Sequence, residues 1–278
     1  MVLPSTPIKE MQQVWYRFFS YLGHVLTAWN TTGEGIHSPY LFHIVRFLMR
    51  DKNSYYCFAE IERRRATLAA SEEVLNVMDY GSAGSPKGTL VQRRVCDITR
   101  THLESPKIGQ FLFRLVTFMG EQEKRPLMIL ELGTSLGITT AYLAAADSKN
   151  KVTTLEGSEA LAAKAEQQWA ALGLQNIRCV TGRIENTLYR YARAKVDVAY
   201  MDANHTYPAT MSYADALLPR LTEKGVLVID DIHYSPEMAR AWKELKADTR
   251  VTTSMDLWHC GLLFVDPHYL KRNYRIRI

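Results

Sequence analysis

Residues 251–265 read VTTSMDLWHCGLLFV. Two apolar runs, Val251–Met255 and Leu262–Val265, flank Asp256–Gly261. Six residues cannot hold a crossover helix, so the two runs must pair antiparallel. Upstream, five further runs recur: Leu127–Leu132, Val152–Leu155, Ile177–Val180, Val196–Met201 and Val226–Ile229. Helical segments lie between them and after the fifth; 159–173 places Leu161, Ala165, Trp169 and Leu172 along one stripe. Strands alternating with helices give βαβ units and a parallel sheet. The predicted class is α/β: a Rossmann-like, doubly wound, seven-stranded sheet, five strands parallel and the last two a C-terminal antiparallel hairpin.

Residues 1–104 differ. They read as a mostly helical N-terminal extension or cap, and residues 105–278 as the sheet domain. Ser38-Pro39 and Ser105-Pro106 are helix starts, a capping hydroxyl before a proline suited to the first turn. The second helix should end at Gly120. Residues 11–29 are aromatic-rich, but Gln12, Gln13, Arg17 and His24 interrupt them. This predicts an amphipathic helix that packs on the body of the protein or on a second copy, not a transmembrane segment. Asp79–Gly88 holds three glycines and reads either as a ligand-bending loop or as a plain surface loop.

The chain has 278 residues, 34 Lys+Arg against 29 Asp+Glu, and a net charge of +5. This composition excludes disorder and fibres. The mild basic excess, without aromatic–basic interleaving, argues against a nucleic-acid surface. Cys57, Cys96, Cys179 and Cys260 form no CxxC pair. Free thiols in a reducing compartment are expected, hence a cytoplasmic protein, with Cys179 and Cys260 buried.

In doubly wound sheets, ligands sit beyond the carboxyl ends of the strands. The first run leads into Glu131-Leu-Gly133-Thr-Ser135-Leu-Gly137, the second into Glu156-Gly157, and the third into Gly182-Arg183. The fourth leads into Asp202-Ala-Asn-His205 and the fifth into Asp230-Asp231-Ile-His233. The G-x-x-x-G spacing differs from the dinucleotide fingerprint. A carboxylate at Glu131 suits a cationic ligand, and one at Glu156 suits two ribose hydroxyls.

In this order the segments resemble the class I S-adenosylmethionine (SAM)-dependent methyltransferases. They are most similar to the metal-dependent catechol and caffeoyl-CoA-type O-methyltransferases of small molecules. The whole chain, with Gly35-Ile-His37-Ser-Pro-Tyr40 and Asp230-Asp-Ile-His-Tyr-Ser235, resembles a bacterial branch of these enzymes. The resemblance implies that Glu131, Gly133, Ser135, Gly137, Glu156, Gly157, Gly182, Arg183 and Asp202 bind SAM. It implies that Asp202, Asp230 and Asp231 hold Mg²⁺ or another divalent cation, the last standing where catechol enzymes have Asn. His205 occupies the position of their lysine base, so His205 and Asp202 are the catalytic candidates. The implied partner is a small molecule with a hydroxyl group. The N-terminal helices would cap the acceptor side or build a homodimer. Two other functions fit the fold: methylation of nucleic acid or protein, and a non-catalytic SAM-binding scaffold. Taken singly, each acid could also be a helix cap or a surface charge. His233 reads as a hydrogen-bonded structural histidine. Tyr207, Trp242 and Trp258 could wall a pocket or only pack.

Overall fold

The computed structural model describes residues 7–80, 88–191 and 194–277, with the side chains of 7–10 left aside. The chain forms two compact units, residues 1–50 with 192–278 and residues 51–191. Position 104, the sequence-based boundary, lies inside the second of these. Residues 81–87 of the glycine-rich loop fall outside the described residues.

The discontinuous unit begins with α1 (Pro7–Thr27) and α2 (Pro39–His43). Ser38 caps α2, accepting from Leu41 N–H at 3.4 Å, and a π-helical turn follows over Ile44–Leu48. The helix starting at Pro39 is therefore short.

The continuous unit starts with α3 (Phe58–Ala69) and an antiparallel hairpin, β1 (Val74–Asp79) and β2 (Thr89–Arg94). The sequence did not predict this hairpin within its helical extension. It continues with α4 (Val95–His102) and α5 (Pro106–Glu123). α5 passes through Gly120 and stops where Lys124 turns left-handed, φ 52°. β3 (Met128–Leu132), α6 (Ile138–Ala145), β4 (Lys151–Glu156), α7 (Glu159–Ala171), β5 (Ile177–Thr181) and α8 (Ile184–Tyr191) then alternate. β3, β4 and β5 pair in parallel, with Leu132 opposite Leu155 and Leu155 opposite Val180. The core of this unit joins Phe58, Ile61, Phe113, Leu136, Tyr142 and Trp169. Arg114 lies 6% exposed beside Asp51 at 3.1 Å, so this buried cation is paired.

The discontinuous unit resumes with β6 (Val196–Met201), α9 (Tyr207–Leu217), β7 (Leu221–Asp230), α10 (Pro236–Ala247), β8 (Thr253–Asp256), β9 (Cys260–Phe264) and β10 (Arg272–Arg275). β6 and β7 are parallel; β9 pairs antiparallel with both β7 and β8. β10 runs parallel to β8, Arg272 opposite Thr253. The two units' sheet strands number eight, where seven were expected, and the addition is β10. Its sequence, RNYR, buries only Tyr274. Such a charged, short strand carries no apolar run to read, and it suits a sheet edge.

α1 is turned contrary to the usual rule. His24 is buried and Gln13, Tyr16 and Ser20 are half-buried, while Val14, Trp15, Phe18, Phe19 and Leu26 are exposed, Leu26 by 72%. Among the described residues, no helix is long and apolar enough to cross a membrane. All four cysteines are free; Cys260 is buried, but Cys179 is only partly so, correcting its expected burial.

Candidate active site

In the continuous unit, the turns after β3, β4 and β5 carry the predicted cofactor residues other than Asp202, which follows β6 in the discontinuous unit. Gly133 (φ 96°) and Ser135 (φ 50°) reverse the chain after β3. Backbone bonds lace the three turns together: Gly133 N–H donates to Leu155 O (3.0 Å), and Gly182 N–H to Glu156 O (2.8 Å). The Glu156 carboxylate accepts from Ser135 N–H on one oxygen and from Ser158 N–H on the other, both at 2.9 Å. It is 8% exposed. Burial pushes its pKa up, against the pull of these backbone donors. Glu131 is fully buried, not at the mouth, and Thr140 Oγ1 donates to it at 2.5 Å. The two acids are therefore not surface charges.

Two glycines of this set are needed for close packing. A Cβ on Gly137 (φ 78°) would meet Ala165 Cβ and Trp169 Nε1 at 2.7 Å, and Trp169 donates to Gly137 O at 2.8 Å. A Cβ on Gly157 would meet the Tyr80 ring at 2.6 Å. Arg183 lies over the same ring, 5.5 Å from its centroid. Tyr80, within the Asp79–Gly88 segment but assigned no role of its own from sequence, thus covers Gly157 and Arg183. An aromatic next to a glycine-rich stretch was the available signal.

In the discontinuous unit, the acids follow β6 and β7. His205 Nε2 lies 3.2 Å from Asp202 Oδ1 across a turn in which Asn204 adopts φ 59°. Asp230 ends β7 and is 2% exposed; Asp231 turns left-handed, φ 52°. Burial is the main reason the Asp231 pKa is raised; Asp202 raises it further, while His205, Arg17 and His259 oppose this. The donor atoms of Asp202, Asp230 and Asp231 do not all fall within 4.8 Å of one another; among the described residues two other triads do. One of these is His24, His233 and Asp256.

Asp256, at the end of β8, is 2% exposed and accepts from several sides. Trp242 Nε1–H reaches Oδ2 at 3.0 Å and Trp258 N–H reaches Oδ1 at 3.1 Å. His233 Nε2 lies 3.1 and 3.0 Å from the two oxygens. Burial raises the Asp256 pKa, but His233 and His24 outweigh it and hold the carboxyl far below the usual range. His233 is thus the hydrogen-bonded histidine the sequence suggested. Trp242 packs in the core: a Cβ on Gly261 would meet its ring at 2.5 Å. Trp258 (φ 73°) stacks on Tyr21, 5.5 Å between centroids. Tyr207 points its hydroxyl to Glu244 at 2.6 Å, beneath Arg240.

Parallel strands alternating with helices, glycine turns and acids at their carboxyl ends, and a closing antiparallel pair define the class I methyltransferase fold. Residues 130–232 match the family model described as a methyltransferase domain. The chain is similar in structure to the O-methyltransferase from Bacillus cereus in complex with SAH, at 19% identity and a TM-score of 0.54, covering 76% of this chain and 91% of that one. It is also similar to cofactor-bound Rv0187 from MTB (20% identity, TM-score 0.52, 60% and 83% covered). A third likeness is to the SAH-bound methyltransferase PaMTH1 of Podospora anserina (18% identity, TM-score 0.50, 59% and 80% covered). Among curated proteins, no sequence matches the chain.

Proposed function

We propose that this chain is a SAM-dependent O-methyltransferase acting, in the cytoplasm, on a hydroxyl of a small molecule with help from a divalent cation. The observation that carries the reading is the laced set of turns after β3, β4 and β5, in which two buried acids, Glu131 and Glu156, stand beside positive-φ turns. The neighbours described with SAH support the same donor. Four free thiols support the compartment.

SAM supplies a methyl group on a positively charged sulfur, and a divalent cation supplies positive charge that lowers the pKa of the acceptor hydroxyl. Glu131 would supply negative charge for the ammonium end of the donor. Glu156 accepts from the ribose hydroxyls, and its backbone clips keep both oxygens in place. Gly133, Ser135, Gly137 and Gly157 shape the turns around the donor, and Gly182 and Arg183 flank the adenine. Asp202, Asp230 and Asp231 would hold the cation, drawing together from wider spacing, with Mg²⁺ suiting an all-oxygen set. The fit rests on the charge at Asp231: its ionised form is disfavoured both by burial and by Asp202, which a cation would relieve. His205, 3.2 Å from Asp202, would take the proton of the acceptor hydroxyl.

Titration calorimetry of SAM into the protein tests this. Micromolar one-to-one binding is expected, weakened about 10–100-fold in Glu156→Ala through loss of charge-assisted hydrogen bonds to the ribose. Absence of binding at millimolar SAM overturns it.

The exposed apolar face of α1 supports a homodimer through that helix. A dimer mass is expected for the wild type, and a monomer for Trp15→Ser with Phe19→Ser, by light scattering. A monomeric wild type at tens of micromolar overturns it.

A further inference from the structure

The residues His24, His233 and Asp256 stand outside the methyl-transfer chemistry proposed above, and their donor atoms all lie within 4.8 Å of one another. His24 is 3% exposed and Asp256 2%; the His233 side chain is 14% exposed. They come from α1, from the segment after β7, and from the end of β8.

The hydrogen bonds around them fix where the lone pairs point. His24 Nε2 lies 3.1 Å from Ile276 O. A carbonyl only accepts, so Nε2 carries the hydrogen and, in the neutral ring, Nδ1 offers a lone pair. That Nδ1 is buried and makes no hydrogen bond, although Asp256 Oδ1 is 3.3 Å away. A proton on Nδ1 would make this an ion pair, and a metal cation would fill the same place. A lone pair held against a carboxylate is unfavourable unless a proton or a metal cation lies between them.

The surroundings match those of ligands to a transition metal. Metal-bound histidines donate their second ring N–H to a backbone carbonyl, and ligating carboxylates are themselves hydrogen-bonded. Here His24 has Ile276 O, and Asp256 has Trp242 Nε1–H and Trp258 N–H. Ligand atoms about 2.0–2.1 Å from a tetrahedral metal lie roughly 3.3–3.4 Å apart. The nitrogen-to-oxygen distances are 3.3 Å for His24 and 3.0–3.1 Å for His233.

We propose that His24 Nδ1, His233 Nε2 and the Asp256 carboxylate form a zinc-class metal site that ties α1 to the ends of β7 and β8. Two imidazoles and a carboxylate suit Zn²⁺ or Co²⁺, whereas the all-oxygen acids after β6 and β7 suit Mg²⁺. In the bound state His233 carries its hydrogen on Nδ1. The site is independent of the donor-binding residues, and its failure would leave the methyltransferase reading intact.

The test is metal retention by the full chain. Protein stripped with a chelator is loaded with one equivalent of ZnCl₂, dialysed against metal-free buffer and assayed by atomic emission. One zinc per chain is expected in the wild type and in Asp231→Asn. In His24→Gln and in His233→Gln, retention falls by about 100-fold or more. Circular dichroism reports whether those variants fold. If they do not, the wild type loaded with CoCl₂ decides, intense visible bands marking a tetrahedral nitrogen–oxygen site. Wild type that retains no zinc, histidine variants that retain it, or a weak octahedral cobalt spectrum overturns the site.

Discussion

Methyl transfer by the double variant Asp202→Ala, Asp231→Ala is expected to fall by about 10³-fold or more, while SAM binding stays measurable. The two acids belong to the turns after β6 and β7, and the charge of Asp202 raises the pKa of Asp231. That repulsion has no structural benefit visible in the fold, and burial adds to its cost. It becomes useful when a cation is bound and an acceptor hydroxyl must lose its proton. Several kcal/mol of such charge stabilisation corresponds to about three decades of rate. The single variants should lose less, since two carboxylates remain. Turnover is followed as SAH formed in the presence of a diol or catechol screen, with calorimetry of SAM alongside. Unchanged turnover in the double variant, or in wild type with excess EDTA, removes the cation from the reaction. Loss of SAM binding together with turnover would instead place both acids in donor binding.

Asp256→Ala is expected to destabilise the protein by about 3–5 kcal/mol. The carboxylate is the shared acceptor for Trp242 Nε1–H, Trp258 N–H and His233. Removing it strands two buried donors and faces His24 Nδ1 with a void. Trp258 would also lose the bond that helps hold its left-handed backbone, φ 73°. Against a total stability of about 5–15 kcal/mol this is a large share. Urea unfolding with a chelator present measures it, so that no bound cation contributes. Asp256→Asn keeps one acceptor oxygen and should cost less. A loss below about 1 kcal/mol would mean that the cluster is incidental to folding.

Much of the architecture was legible because it rests on local pattern. Each of the seven apolar runs overlaps a strand, and the six-residue gap at 256–261 forced the antiparallel pairing. Ser38-Pro39 and Ser105-Pro106 start helices as read, although the Ser38 hydroxyl caps its helix and the Ser105 hydroxyl does not. What escaped lacked that pattern. β10 has polar residues at three of its four positions, and the hairpin of β1 and β2 joins short, half-buried strands across a long connection. α5 overran Gly120 because that glycine stays helical and Lys124 takes the left-handed turn. At the site, the acids were legible from their places after the strands. Their surroundings were not: the clip from Ser135 and Ser158 onto Glu156, and the cover of Tyr80 on Gly157, depend on backbone direction. The pairing of His24 with Asp256 joins positions 232 residues apart, beyond any local spacing rule.

The discontinuous unit has a consequence for the order of events during synthesis. His24 meets Ile276 across 252 residues, and Thr31 meets Arg277 across 246. Residues 51–191 close on contacts within one stretch of chain and can fold while translation continues. α1 cannot dock until the ribosome has released the segment beyond β9, so the whole helix, aromatic face included, stays undocked while some 250 residues are added. Contacts of such long range slow folding and lengthen exposure to aggregation. The undocked helix is therefore a chaperone-type target during synthesis, and the yield in cells should depend on holdase capacity more than on the stability of the finished protein.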